Sequence, residues 1–173
     1  MKGGPISVLH FSNALVRGGA EEHILTLLRG LDRKYFRLFL VCPPELGRQL
    51  KPELPSDIGL VPLRLRKPTQ AVSALRLAQI LHDCRVDILH SHLFYGSLFA
   101  SPIGWVCRVP LILETPHVRE QWRRGWLKSH FLVDRLFGRF VDYYIAVSEA
   151  NARFLVEQKG LSPEKIVVIH NGC

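Results

Sequence analysis

The chain has 173 residues, 47% hydrophobic and 22% charged, with 23 basic against 15 acidic side chains and a formal net charge of +8. That length and balance fit one soluble globular domain with its own core, and exclude a disordered or fibrous chain. The four cysteines (Cys42, Cys84, Cys107, Cys173) share no CxxC or metal-ligand spacing, which excludes a disulfide framework and leaves core thiols of a reducing compartment.

Met1 to Pro5 carries no secretory pattern, so a cytoplasmic protein is expected. Ile6–Phe11 reads as the first strand, followed by a helix from about Ala20 to Leu31 with Ile24, Leu27, Leu28 and Leu31 on one face. Phe36–Cys42 and Ile58–Leu63 are the next strands. Thr69 or Gln70 opens a helix whose buried stripe is expected at Leu75, Ala78 and Leu81. Asp87–His92 is the fourth strand. Residues 93–113 are apolar over roughly the length a bilayer requires. Pro102, Arg108 and Pro110 interrupt that run, so a helix ending near Arg108 and a buried strand Leu111–Thr115 explain it without lipid. Tyr143–Val147 is a sixth strand, and Ser148 caps a helix that runs to about Lys159 and stops at Gly160. Ser162-Pro163-Glu164 then turns into a last strand, Ile166–Ile169. About seven strands alternating with helices predict a doubly wound, mainly parallel, Rossmann-like α/β domain over residues 1–173.

Ligands of such sheets bind beyond the carboxyl ends of the strands. After the first strand come Gly18 and Gly19 at a helix start, where backbone N–H groups and the helix dipole favour an anion. The loop does not fit G-x-G-x-x-G, and the second strand exits into Val41-Cys42-Pro43-Pro44 with no acid to hold a ribose, so nicotinamide binding is not expected. The fourth strand closes on His90-Ser91-His92, whose two imidazoles share a face and could bind a metal. No carboxylate or third histidine stands at a recognisable ligand spacing, so no metal is expected and both read as cleft-lining or structural residues. The fifth strand exits as Glu114-Thr115-Pro116-His117, which aims His117 at the same crevice.

Together these pieces resemble the N-terminal domain of retaining GT-B glycosyltransferases of family 4. The matching residues are Gly18-Gly19-Ala20-Glu21, Asp87-Ile88-Leu89-His90-Ser91-His92, Thr115-Pro116-His117, Ile145-Ala146-Val147-Ser148-Glu149 and Lys165-Ile166-Val167-Val168-Ile169-His170-Asn171-Gly172. The resemblance implies a transferase acting on a nucleotide-sugar donor. Gly18 and Gly19 would lie against the donor diphosphate, His117 beside the donor sugar as the catalytic residue, and Glu21, His92 and Ser148 along the acceptor-side cleft. It implies no metal and no other cofactor, and an acceptor that is a cell-surface glycan or a lipid-linked precursor. The nucleotide half, with its Glu-x7-Glu motif, would be a C-terminal domain outside residues 1–173, so this chain alone is expected not to transfer sugar. The competing reading is a non-catalytic binding or interaction module of the same fold.

From His117 to Arg139 six basic residues stand against two acidic ones, half of the net charge. Arg119, Arg123, Arg124 and Lys128, interleaved with Trp122 and Trp126, read either as a helix docking on an anionic membrane at the inner face or as a solvated helix packed on the sheet. Nucleic acid is not expected, because the stripe is short and no binding motif accompanies it.

Overall fold

Residues 4–67, 69–92, 94–116 and 130–170 are described in a computed structural model. His117, Arg119, Trp122, Arg123, Arg124, Trp126 and Lys128 lie outside them. Seven strands form one parallel sheet: β1 (Ile6–Ser12), β2 (Phe36–Cys42), β3 (Gly59–Pro62), β4 (Ile88–His92), β5 (Leu111–Thr115), β6 (Tyr143–Ala146) and β7 (Ile166–Val168). Their spatial order is β3-β2-β1-β4-β5-β6-β7, which places the reversal of winding between β1 and β4. The expected strands are all present, each end within a residue or two of its expected place.

Helices cover both faces, which is why β1 is buried at every residue but its first. Successive side chains alternate in direction. Val8 therefore packs with Leu38, Leu40 and Cys42 of β2 beneath Ile24, Leu25 and Leu28 of helix α1 (Gly19–Gly30). Leu9 and Phe11 point the other way, toward Leu77 and Leu81 of α3 (Ala71–Asp83) and Ala100 of α4 (Phe94–Val106). A smaller cluster, Val141, Tyr144, Ala146, Leu155 and Leu161, closes the far end around α6 (Glu149–Glu157).

One helix is additional and one expectation changes. A short helix α2 (Pro44–Leu50) follows β2 directly, with proline at its first position and Leu46 and Leu50 buried. Proline there loses no hydrogen bond, so the pair of prolines starts a helix instead of preventing one. In α3 the buried residues are Leu77 and Leu81, with Ala74 partly buried beside them, while Leu75 is 72% exposed. That helix carries apolar residues at two phases, and only docking onto Leu63, Leu65 and Leu89 selects between them. Among the described residues no helix is long and apolar enough to cross a membrane. The apolar run becomes the 13-residue α4, a turn with Arg108 at φ 57°, and β5.

Candidate functional site

In-register pairing brings three strand exits into line, because Ser12 of β1 faces His92 of β4 and His92 faces Thr115 of β5. The chain leaves β1 through residues 13–18 and enters α1. Leu15 carbonyl and Arg17 N–H bind opposite ends of the Gln49 amide at 3.1 Å each, which ties this loop to α2. The Arg17 side chain pairs with Glu22 and Glu53, and Glu53 also accepts from Arg29 Nη2 at 2.9 Å. These contacts hold the Glu53 carboxyl down to about 2, through the bonds from Arg17 and then Arg29, and raise the Arg17 guanidinium through Glu22 and then Glu53.

Gly18 and Gly19 are exposed at the tip of this frame. Glu21 turns back to accept from Gly18 N–H at 3.0 Å, and Glu21 and Glu22 N–H both bind the Gly18 carbonyl. This reciprocal cap satisfies two of the four donors that a helix start leaves over. Among the described residues the N–H groups of Gly19 and Ala20 take no partner. An added Cβ on Gly19 would meet nothing within 4 Å.

The other expected residues are placed differently from one another. Glu21, expected along the cleft, is 3% exposed and commits its carboxylate to Gly18 and to the Ser12 hydroxyl at 3.4 Å. Burial raises its carboxyl, against the pull of the backbone and Ser12 bonds. Ser148 caps α6, its Oγ accepting from Asn151 N–H at 3.1 Å. His92 is fully buried. The described residues also hold a partner that sequence spacing did not disclose: His10 of β1 lies opposite His90 in the register, on the same face of the sheet. His10 Nδ1 and His92 Nε2 are 3.1 Å apart, and His90 Nε2 is 2.7 Å from the Thr115 hydroxyl. Burial, then the nearby His23, lowers His10 to about 4, so this ring is neutral at pH 7. The signal that could have found it was the match between His10-Phe11-Ser12 and His90-Ser91-His92, each ending its strand.

Residues 17–173 match the description of Glycosyltransferase Family 4. The chain belongs to glycosyltransferase family 4. Solved structures agree on the fold. HepE of Anabaena in complex with UDP superposes with a TM-score of 0.78 at 16% identity, over 97% of this chain and 44% of HepE. A glycosyltransferase of Rickettsia africae gives 0.72 at 23% identity, over 97% of this chain and 43% of that one. MurG of Acinetobacter baumannii gives 0.67 at 11% identity, over 98% and 47%. The family 4 chain thus spans less than half the length of each of these proteins. No curated protein is significantly similar to it in sequence.

Proposed function

We propose that this family 4 domain, residues 1–173, is the N-terminal, acceptor-side half of a retaining glycosyltransferase that uses a nucleotide-sugar donor. Gly19 is the observation that carries the reading. Its backbone has no positive φ and its missing side chain faces open space, so neither strain nor packing asks for glycine there. Close approach of a ligand to the backbone does. The Gly19 and Ala20 N–H groups at the start of α1 suit a diphosphate, the group that HepE accommodates in UDP. Negative charge grows on that diphosphate as the sugar leaves, and donors already in place stabilise it without reorganisation. Charge-assisted N–H contacts of this kind ask for no metal or other cofactor in the transfer.

His117, two residues beyond Thr115 at the end of β5, is proposed to position the donor sugar and steady the charge that develops on it. The nucleotide is assigned to a second domain, consistent with this chain covering 44% of HepE. Arg119, Arg123, Arg124 and Lys128 with Trp122 and Trp126 are proposed to dock the protein on the anionic inner membrane face, where a lipid-linked acceptor would be met. The test is titration of the domain with UDP- and GDP-sugars, followed by ³¹P and amide NMR. Weak binding that shifts the Gly18, Gly19 and Ala20 amides, and that Gly19→Val removes, is the expected result. Binding in the low micromolar range, or shifts that avoid this loop, would overturn the assignment. In the complete protein His117→Ala is expected to lower kcat by about 10²–10³ with the fold intact.

A further inference from the structure

The three histidines on the α1 face of the sheet are the one group of metal-type ligands that the described residues gather, and their ligand nitrogens all lie within 4.8 Å of one another. His10 is 1%, His90 5% and His92 0% exposed. His10 Nε2 is buried with no hydrogen-bond partner. With Nδ1 turned toward His92, Nε2 is the nitrogen left to carry the ring proton. In a tetrahedral site with metal–nitrogen bonds of about 2.0–2.1 Å, ligand nitrogens stand roughly 3.3–3.4 Å apart and imidazole centres roughly 5.2 Å apart. Here His10 Nδ1 and His92 Nε2 are separated by 3.1 Å. The His10–His90 and His10–His92 ring centres are 5.1 Å and 5.4 Å apart, close to that spacing. Only His90 and His92, at 4.2 Å, must open, by about 1 Å, which a χ1 rotation of one imidazole supplies.

We propose that His10, His90 and His92 form a binding site for a borderline divalent transition-metal ion of the Zn²⁺ class, at the point between β1 and β4 where the winding of the sheet reverses. Three imidazoles suit zinc, cobalt and nickel and disfavour magnesium or calcium, which take oxygen ligands. An imidazole that ligates through one nitrogen carries its proton on the other. The Thr115 hydroxyl on His90 Nε2 orients that ring for ligation through the other nitrogen, as outer partners of metal-bound histidines do. Ser12, paired with His92 in the sheet, also donates to the buried Glu21 carboxyl group. The ion clamps β1 to β4 beneath the Gly18–Gly19 loop; it takes no part in sugar transfer, and its binding does not depend on the donor reading.

The test uses the chain stripped of metal and titrated with Co²⁺, whose visible absorption bands report tetrahedral nitrogen ligation. One equivalent is expected to give those bands, Zn²⁺ to abolish them, and Zn²⁺ to raise the melting temperature in a concentration-dependent way. His10→Leu and His92→Gln are expected to lose the bands, while His82→Ala, at an exposed site, retains them. Absence of a stoichiometric Co²⁺ site, or a site that survives in folded His10→Leu, would overturn the proposal. Should the variants fail to fold, the ring ¹⁵N resonances of the wild-type chain decide. Shifts of His10, His90 and His92 on adding Zn²⁺ support the site, and shifts confined to other histidines overturn it.

Discussion

Two regions of the molecule combine a glycine with an ion pair, to opposite ends. At the exit of β1, Arg17 pairs with Glu22 and Glu53 on the surface, with 29%, 53% and 40% of the side chains exposed. Gly19 beside them has room for a side chain. At the end of α6, Lys159 Nζ meets Asp134 of α5 (His130–Gly138) at 2.8 Å, with the two side chains 2% and 5% exposed. Gly160 next to it has φ +64°, and a Cβ there would run into the Arg135 guanidinium, whose Nε donates to the Lys159 carbonyl at 3.1 Å. Water screens the first set of charges, so they orient a loop and contribute little to stability. The second set has no water to fall back on, and the fold needs both partners or neither. The glycines divide the same way: Gly160 answers to the backbone, while neither backbone nor packing calls for Gly19.

Breaking the buried pair should produce the largest effect. Lys159→Met takes the ammonium from beside the buried Asp134 carboxylate and should lower stability by about 3–5 kcal/mol in urea denaturation. Replacing both, with Asp134→Leu added, should recover most of that loss, since a matched apolar pair removes the stranded charge. A double variant as unstable as the single one would mean that the pair is needed for its geometry. Gly160→Ala comes next, expected to cost about 1–2 kcal/mol because an L-residue is strained at positive φ. Gly19→Ala sharpens the contrast: its stability should stay within about 0.5 kcal/mol of wild type, while donor-induced amide shifts weaken. A large loss of stability there would make Gly19 a structural glycine after all. Smallest is the surface net. The Glu53 carboxyl should titrate near pH 2 by ¹³C NMR, below its ordinary 4.5, and return toward that value in Arg17→Gln. Because the folded value is depressed, the contribution of Glu53 is present above pH 4.5 and fades as pH falls toward 2. Its effect on the melting temperature should be slight and should shrink with added salt.

Two local features of the candidate site could be read from pattern. Gly18-Gly19 at a helix start and Ser148 as a cap are signals carried by a few adjacent residues, and both stand where they were expected. Glu21 carried no such signal for its role, because the same residue three positions after a cap can face a ligand or close a capping box, and only its hydrogen bond to Gly18 tells which. Likewise, the wrong stripe in α3 was an equally good helical pattern, and contact with the sheet decided against it.

What the sequence determined by itself is the alternation of strands and helices, and with it the doubly wound sheet. Apolar periodicity and caps act within a dozen residues, so they survive being read one element at a time. What only the tertiary structure decided is which strands are neighbours. The β1–β4 pairing sets His10 3.1 Å from a ring 82 residues away, and the α5–α6 approach seals Lys159 against Asp134 across 25. Neither distance leaves a trace in local composition. The first arises because parallel strands joined by crossover helices pair through register, a property of the whole sheet, and the second because that sheet sets where its helices meet.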